Sequence, residues 1–321
     1  MKDEFIKYYI GINKLFTDRV YVVIEVPNND YKSHDAWIRS IDEAVDELVE
    51  QGRLIRKKTP YTKEFGSVPY NEQYWCQYHK NGVATEVNIH KRPKRNRRAK
   101  RQGYIKFDFC PFKLRDDNRK AFVYLVKRIF RYCNFNVCVH AWITKIEITT
   151  DMLDITPNDF HITVNRKRHS CVIGEYKALE TVYVGSKHSR CVVKYYDKLK
   201  QIKKRYPRAK LPKRPVTRLE ITLSKQHIPL SELEFLNNPF DRITFYKSKL
   251  KVKDFDLRLC RMANGYFIKQ RGLQTALTEA RKYGHDYRKE LSKYEIDIID
   301  TDSLWEQWPK AISFLKLFKN L

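Results

Sequence analysis

Glycine and proline are scarce in this 321-residue chain, at 10 and 12 residues, so little of it is built to stay flexible. With 42% hydrophobic and 13% aromatic residues, the 32% charged fraction does not describe a disordered polypeptide. No apolar run approaches the ~20 residues of a membrane span, and the opening Met1-Lys2-Asp3-Glu4 carries no apolar signal core. A soluble, cytoplasmic protein with no membrane partner is expected. The seven cysteines are odd in number and scattered, with no Cys-x-x-Cys pair, which argues against a disulfide framework and against a zinc ribbon. None of the nine histidines forms His-x-His. Acidic residues are also in short supply: 38 Asp+Glu face 64 Lys+Arg, a formal charge of +26. A charge of that size points to a polyanionic partner, nucleic acid first.

The positive charge is concentrated. His90–Arg101 (HKRPKRNRRAKR) holds eight Lys or Arg in twelve residues, and Lys198–Arg214 (KLKQIKKRYPRAKLPKR) holds nine in seventeen; neither contains an acid. Such runs suit phosphate contact. Lys91, Arg92, Lys94, Arg95, Arg97 and Arg98 from the first run, and Lys203 and Lys204 from the second, are the expected DNA contacts, joined by Ser186, Lys187 and Lys194.

Between these runs the chain alternates strand and helix patterns. Val20–Val26 reads as a strand. Asp35–Gln51 reads as a helix whose apolar stripe includes Trp37, Ile41, Val45 and Leu48, with a solvated acidic face and Gly52 as its stop. Two runs around Asn81-Gly82 form an expected hairpin. A strand at Gly103–Cys110, a helix at Asp116–Cys133 and a strand at Trp142–Asp151 complete a β-α-β unit. Together they predict an α+β fold: a ferredoxin-like, palm-type antiparallel sheet with helices on one face, an open polar face carrying the site, and C-terminal helices from about residue 230. The expected division is 1–101, an N-terminal α/β DNA-binding region; 102–228, a catalytic domain; and 229–321, mostly helical.

The polar face comes from strand alternation. In the hairpin Glu180–Lys200 (ETVYVGSKHSRCVVKYYDKLK), Cys191, Val193 and Tyr195 fall on an apolar side. Val192, Lys194 and Tyr196 fall on the other, with Lys198 just beyond. Trp142–Asp151 places Lys145, Glu147, Thr149 and Asp151 on its polar side, and Val216–Ser224 places Arg218, Glu220 and Thr222 there. A tyrosine hydroxyl between cations can attack a phosphodiester, leaving a 5′-phosphotyrosine and a free 3′-OH. Carboxylates such as Glu147 and Glu220, with Asp151 as a third, are oxygen donors suited to Mg²⁺ or Mn²⁺, whose Lewis acidity assists such a displacement. Lys198 and Arg218 could hold the phosphate or the leaving oxygen.

Thr144–Asp151 (TKIEITTD), Glu180–Ser186 (ETVYVGS), Val193–Lys198 (VKYYDK) and Thr217–Leu223 (TRLEITL), in that order, resemble the rolling-circle replication initiators of the replication-initiation-factor (Rep-trans) type of plasmids and phages. They are also similar to the strand-nicking replication proteins of filamentous phages. The resemblance covers about residues 140–225. It implies site-specific, metal-dependent nicking and joining of single DNA strands, with the nucleophile of the Tyr-x-Lys step on Tyr196 and the acidic strand positions on Glu147 and Glu220. It implies DNA, as origin duplex and single strand, for a partner, with a host helicase and a second copy of the chain as further candidates. The sequence departs from the family pattern in Lys145, where Arg is usual, in Glu147, where Asp is common, and in Tyr195 beside Tyr196. Two other readings stay open: a non-catalytic single-stranded nucleic-acid-binding protein with an open sheet and basic loops, and a metal-dependent nuclease that uses water.

Overall fold

Alternation of large apolar residues with polar ones writes most of the strands. The computed structural model describes residues 10–27, 31–57, 70–80, 83–93, 104–114, 116–175, 178–186, 188–248, 271–282, 284 and 287–318. Its strands are β1 (Phe16–Ile24), β2 (Ile55–Arg56), β3 (Tyr70–Lys80), β4 (Val83–Pro93), β5 (Ile105–Phe109), β6 (Ala141–Leu153), β7 (Phe160–Val164), β8 (Ser170–Glu175), β9 (Ala178–Val184), β10 (Cys191–Asp197), β11 (Val216–Pro229) and β12 (Ile243–Lys247). Ten make one antiparallel sheet in the order β2-β3-β4-β5-β1-β6-β11-β10-β9-β8, and β12 pairs with β7 in a small second sheet. With its helices this is an α+β fold, as the sequence led us to expect. Among the described residues no helix is long and apolar enough to cross a membrane.

The chain divides into two units, each discontinuous in sequence. Unit 1 comprises Met1–Leu15, Ile148–Leu223 and Asn237–Trp308; unit 2 comprises Phe16–Glu147, Ser224–Leu236 and Pro309–Leu321.

In unit 2, helix α1 (Tyr31–Glu50) buries Ile41, Ala44, Val45 and Leu48, each with no exposure, which is the i, i+3, i+4, i+7 spacing of one helix face. Gly52, at φ 66, ends it in the left-handed region. The acidic face of α1 is less solvated than its composition suggested: Glu47 pairs with Arg128 and Arg131, and Asp42 with Lys91. Helix α2 (Asp116–Ile129) lays Phe122 against Phe107 and Phe109 of β5, and Phe314 and Phe318 pack on Phe109 from the end of the chain. Strands β3 and β4 pair up to Lys80↔Val83; Asn81-Gly82, the expected turn, lies outside the described residues.

Unit 1 contains β8–β11, the small sheet, and helices α3 (Lys198–Arg205), α4 (Leu273–Lys282), α5 (Arg288–Ser292) and α6 (Thr301–Trp305). The C-terminal helices appear as expected, and strand β12 precedes them, with Ile243, Phe245 and Tyr246 buried where it pairs with β7. Helix α4 is docked by side chains: Gln274 accepts from Val164 N–H (2.9 Å) and donates to Lys167 O (2.7 Å), and Thr275 accepts from Ser170 N–H (2.7 Å).

The hairpin β9–β10 keeps the expected register, Val184↔Val193 to Thr181↔Tyr196. Its turn begins at Gly185, at φ +105, where an added Cβ would lie 3.0 Å from Cys191 O and 3.2 Å from Ser189 Oγ. Gly185→Ala should therefore destabilise the protein by about 1–3 kcal/mol, read as a lowered urea midpoint, whereas Gly52→Ala, with open space around it, should cost less.

Candidate functional site

Three strands of unit 1 set out the site in two rows. Across β9, β10 and β11 the cross-strand partners are Thr181–Tyr196–Arg218 and Tyr183–Lys194–Glu220. Directly opposed residues share a sheet face, so the tyrosine, two cations and a carboxylate named from alternation do come together. Lys194 forms an ion pair with Glu220, and its ammonium lies 5.3 Å from the Tyr196 ring centroid. Lys198, the first residue of α3, lies 5.8 Å from the same centroid and donates to Gln201 Oε1 at 2.7 Å. Asp197 caps that helix by accepting from Lys200 N–H at 2.9 Å, which explains why the chain turns from strand to helix directly after Tyr196.

A cavity of about 480 Å³ opens here, lined by Thr181, Tyr183, Lys194, Tyr196, Asp197, Lys200, Gln201, Lys203 and Lys204. Four of its nine lining residues are lysines and one is an acid, so it favours an anion. Tyr196 is 4% exposed. Its neighbour Tyr195 is 2% exposed with its ring 4.8 Å from Phe160, and burial pushes its phenol well above the ordinary range. Tyr195 is thus a core residue, and Tyr196 is the tyrosine of this pair that lines the cavity.

Three expected site residues are placed otherwise. Asp151, proposed as a third metal ligand, has no exposure. Its Oδ1 accepts from Arg218 Nε (2.6 Å), and its Oδ2 from Arg218 Nη2 (2.8 Å) and Gly11 N–H (2.6 Å). Arg218 is 1% exposed and held by this bidentate pair, so it is not presented to a phosphate. Lys91, expected on DNA, is 1% exposed because β4 runs on to Pro93. Lys91 falls on the side of Val87 and Ile89, where it meets Asp42 (3.2 Å) and Glu72 (3.3 Å). Lys94, Arg95, Arg97, Arg98 and Lys187 lie outside the described residues, as does the side chain of Arg92. Ser186 is exposed on the hairpin turn, and Lys200, Lys203 and Lys204 are exposed on α3.

Glu147 belongs to unit 2, where it pairs with Lys145 at 2.6 Å. A carboxylate that sequence reasoning missed stands near it: Asp18, on β1, has an oxygen within 4.8 Å of one on Glu147. Two carboxylate oxygens at that separation can share a cation at 2.0–2.6 Å from each, so this pair fits a divalent metal, whereas the neutralised Asp151 does not. The available signal was the one acid of the strand FTDRVYVVI, near its start. The lining residues Tyr183, Lys200 and Gln201 also went unnamed, because only the β9–β10 register and the turn into α3 bring them beside Tyr196.

No protein-family model matches the chain, and no curated protein matches it. The resemblance to replication initiators therefore rests on the four short sequence segments.

Two measurements check these placements. Replacing Lys203 and Lys204 by Gln should flatten the salt dependence of DNA binding by roughly 1.5 log units per tenfold salt, measured by anisotropy titrations. Lys91→Met should leave that slope unchanged and instead lower stability by about 3 kcal/mol, because it removes the buried cation that Asp42 and Glu72 share. His161 on β7 is held down to about 4 from an ordinary 6.5 by burial. The native state then resists a proton that the unfolded chain accepts. Stability should fall as pH drops from about 6.5 to about 4, by at most about 3 kcal/mol, and level off below. His161→Leu should flatten that part of a denaturant–pH series.

Proposed function

We propose that this chain initiates rolling-circle replication by nicking one DNA strand at a specific site and rejoining it through a 5′-phosphotyrosine on Tyr196. The observation that carries the reading is the cavity in unit 1. There Tyr196 lines a space in which four of the other eight lining residues are lysines, and two ammonium groups lie within 6 Å of its ring centroid. A phosphodiester is the anion that gives such a tyrosine something to do.

In this reading Tyr196 Oη attacks the scissile phosphorus in line with the 3′ oxygen. The P–O3′ bond breaks as the O–P bond to the phenol forms. The phenol proton passes to solvent, and the leaving oxygen takes up a proton to become a 3′-OH. Attack by a 3′-OH on the phosphotyrosine reverses the step and rejoins a strand. Lys194 and Lys198 offset the charge that develops around the phosphorus, and a preorganised cation needs little reorganisation to do so. Exposed Lys200, Lys203 and Lys204 hold the neighbouring phosphates. A divalent cation, Mg²⁺ or Mn²⁺, would supply Lewis acidity to the phosphoryl oxygens. The motifs put forward Glu147 and Glu220 as its carboxylate donors, and Asp18 stands beside Glu147. The partners are DNA as origin duplex and single strand, with a host helicase and a second copy of the chain as further candidates, in the cytoplasm.

The test is covalent. Incubated with supercoiled or single-stranded origin DNA and Mg²⁺ or Mn²⁺, the protein should yield a denaturation-resistant DNA adduct. Tyr196→Phe should abolish the adduct, a loss of at least about 10³-fold, and still bind DNA. Tyr195→Phe should keep it and cost mainly stability. Binding with no adduct under any metal condition would favour a non-catalytic single-strand binder. Cleavage that persists in Tyr196→Phe would favour a nuclease using water, and full cleavage in excess chelator would sink the metal requirement.

A further inference from the structure

Unit 2 has a sheet face of its own that the Tyr196 chemistry does not use. Strands β3, β4, β5 and β1 are paired so that Trp75, Asn88, Asp108 and Tyr21 form one cross-strand row, and Gln73, His90, Lys106 and Val23 the next. Residues one step along these strands point the other way, and those are the core: Tyr74, Val87, Ile89, Phe107, Phe109, Val20 and Val22 are at most 1% exposed. Both helices lie on that inner side, α2 through Phe122 on Phe107 and Phe109, and α1 through Asp42 on Lys91. The opposite side therefore carries two aromatic rings, Trp75 and Tyr21, both half-buried, near the two ends of one row.

Cations accompany both rings. Lys57 lies 5.7 Å from the Trp75 ring centroid and donates to Asn88 Oδ1 at 2.6 Å. Around Tyr21, Arg19, Lys106 and Lys145 lie 5.5, 4.7 and 5.1 Å from the ring centroid. Asp108 is taken up by a bidentate pair with Arg19 (2.8 and 2.7 Å), and Glu147 by Lys145 (2.6 Å). Four cations (Lys57, Arg19, Lys106, Lys145) against three carboxylates (Asp108, Glu147 and Asp18, which has an oxygen within 4.8 Å of one on Glu147) leave this face with an excess of one positive charge among its described residues. Three strand spacings of ~4.8 Å separate Trp75 from Tyr21, about 14 Å. A four-stranded antiparallel sheet with helices behind it and aromatic rings in front is a surface on which two or three unpaired bases can stack.

We infer that this face is a stacking platform for single-stranded DNA, with Trp75 and Tyr21 each taking a base and Lys57, Arg19 and Lys145 taking the intervening phosphates. Duplex DNA does not fit, because its bases are stacked on one another and cannot reach the rings. The inference rests on the register and charge of unit 2 and does not depend on Tyr196 acting as a nucleophile.

The experiment uses the full chain carrying Tyr196→Phe, in chelator, so that no cleavage intervenes. Anisotropy is followed with a fluorescein-labelled mixed-sequence 12-mer, single-stranded or as its duplex. Trp75→Ala and Tyr21→Ala should each weaken single-strand binding by about 5- to 150-fold, the usual range for losing one stacked base, and leave duplex binding nearly unchanged. Trp75→Phe and Tyr21→Phe, which keep a ring, should stay within about threefold of the parent. Photo-cross-linking of the same 12-mer bearing 5-iodouracil, without further substitution, should map to the Trp75 or Tyr21 peptide, so the inference remains testable if an alanine variant fails to fold. Unchanged single-strand affinity in folded alanine variants, equal losses for duplex and single strand, or cross-links confined to other peptides would overturn it. Failure of the unsubstituted chain to form a phosphotyrosine adduct would count against the nicking reading alone.

Discussion

A guanidinium and a carboxylate with essentially no exposure to water have to stay together, and in unit 1 the Arg218–Asp151 pair imposes that condition. Breaking such a pair by losing one partner costs about 3–5 kcal/mol, because the other charge is left desolvated. Both Asp151 oxygens are used, and the Gly11 N–H adds a third donor, so the pair ties β6, β11 and the segment before β1 at one point. Arg218 is also the cross-strand partner of Tyr196. The pair thus fixes β11 at the position where it pairs with Tyr196 of β10. The same engagement removes Arg218 and Asp151 from solution chemistry and leaves the cavity to the lysines.

Cation and tyrosine recur together in both units. In unit 1 Lys194 and Lys198 lie by Tyr196; in unit 2 Arg19, Lys106 and Lys145 lie by Tyr21. A chain with so large a positive excess cannot pair all of its lysines with acids, and an aromatic face offers a half-buried ammonium about 0.5–2 kcal/mol in place of a carboxylate. The two cations at 1% exposure each hold carboxylates: Arg218 holds Asp151, and Lys91 holds Asp42 and Glu72. Positive charge is then left over near the aromatic rings, which is the combination that nucleic acid binds.

Much of the fold was legible. The helical stripe of Asp35–Gln51, the Asn81-Gly82 hairpin and the Gly185 hairpin follow from local periodicity and turn chemistry, and each appears with its register. Strands β7, β8 and β12 were not legible. They are short, and their burial comes from partners far away in sequence, such as Tyr246 against His161. The site was legible in its residue types and only partly in their environment. Alternation separates Tyr195 from Tyr196 correctly. It assigns Arg218, Glu220 and Asp151 to a wet face, when all three are at most 1% exposed.

What the sequence by itself determined was the side of each strand on which a residue falls, because that parity is a property of the backbone. It also determined the sign of the chain's net charge, because charge composition needs no coordinates. Whether a polar side is open or closed was decided only by the tertiary structure, since desolvation depends on what a neighbouring strand brings. Strand neighbours joined Arg218 to Asp151 and Lys91 to Glu72, and the packing of α1 on the sheet brought Asp42 to Lys91. The turn into α3 carried Lys200, Lys203 and Lys204 to the cavity beside Tyr196. A four-strand register placed Trp75 and Tyr21, more than fifty residues apart in the chain, in one row.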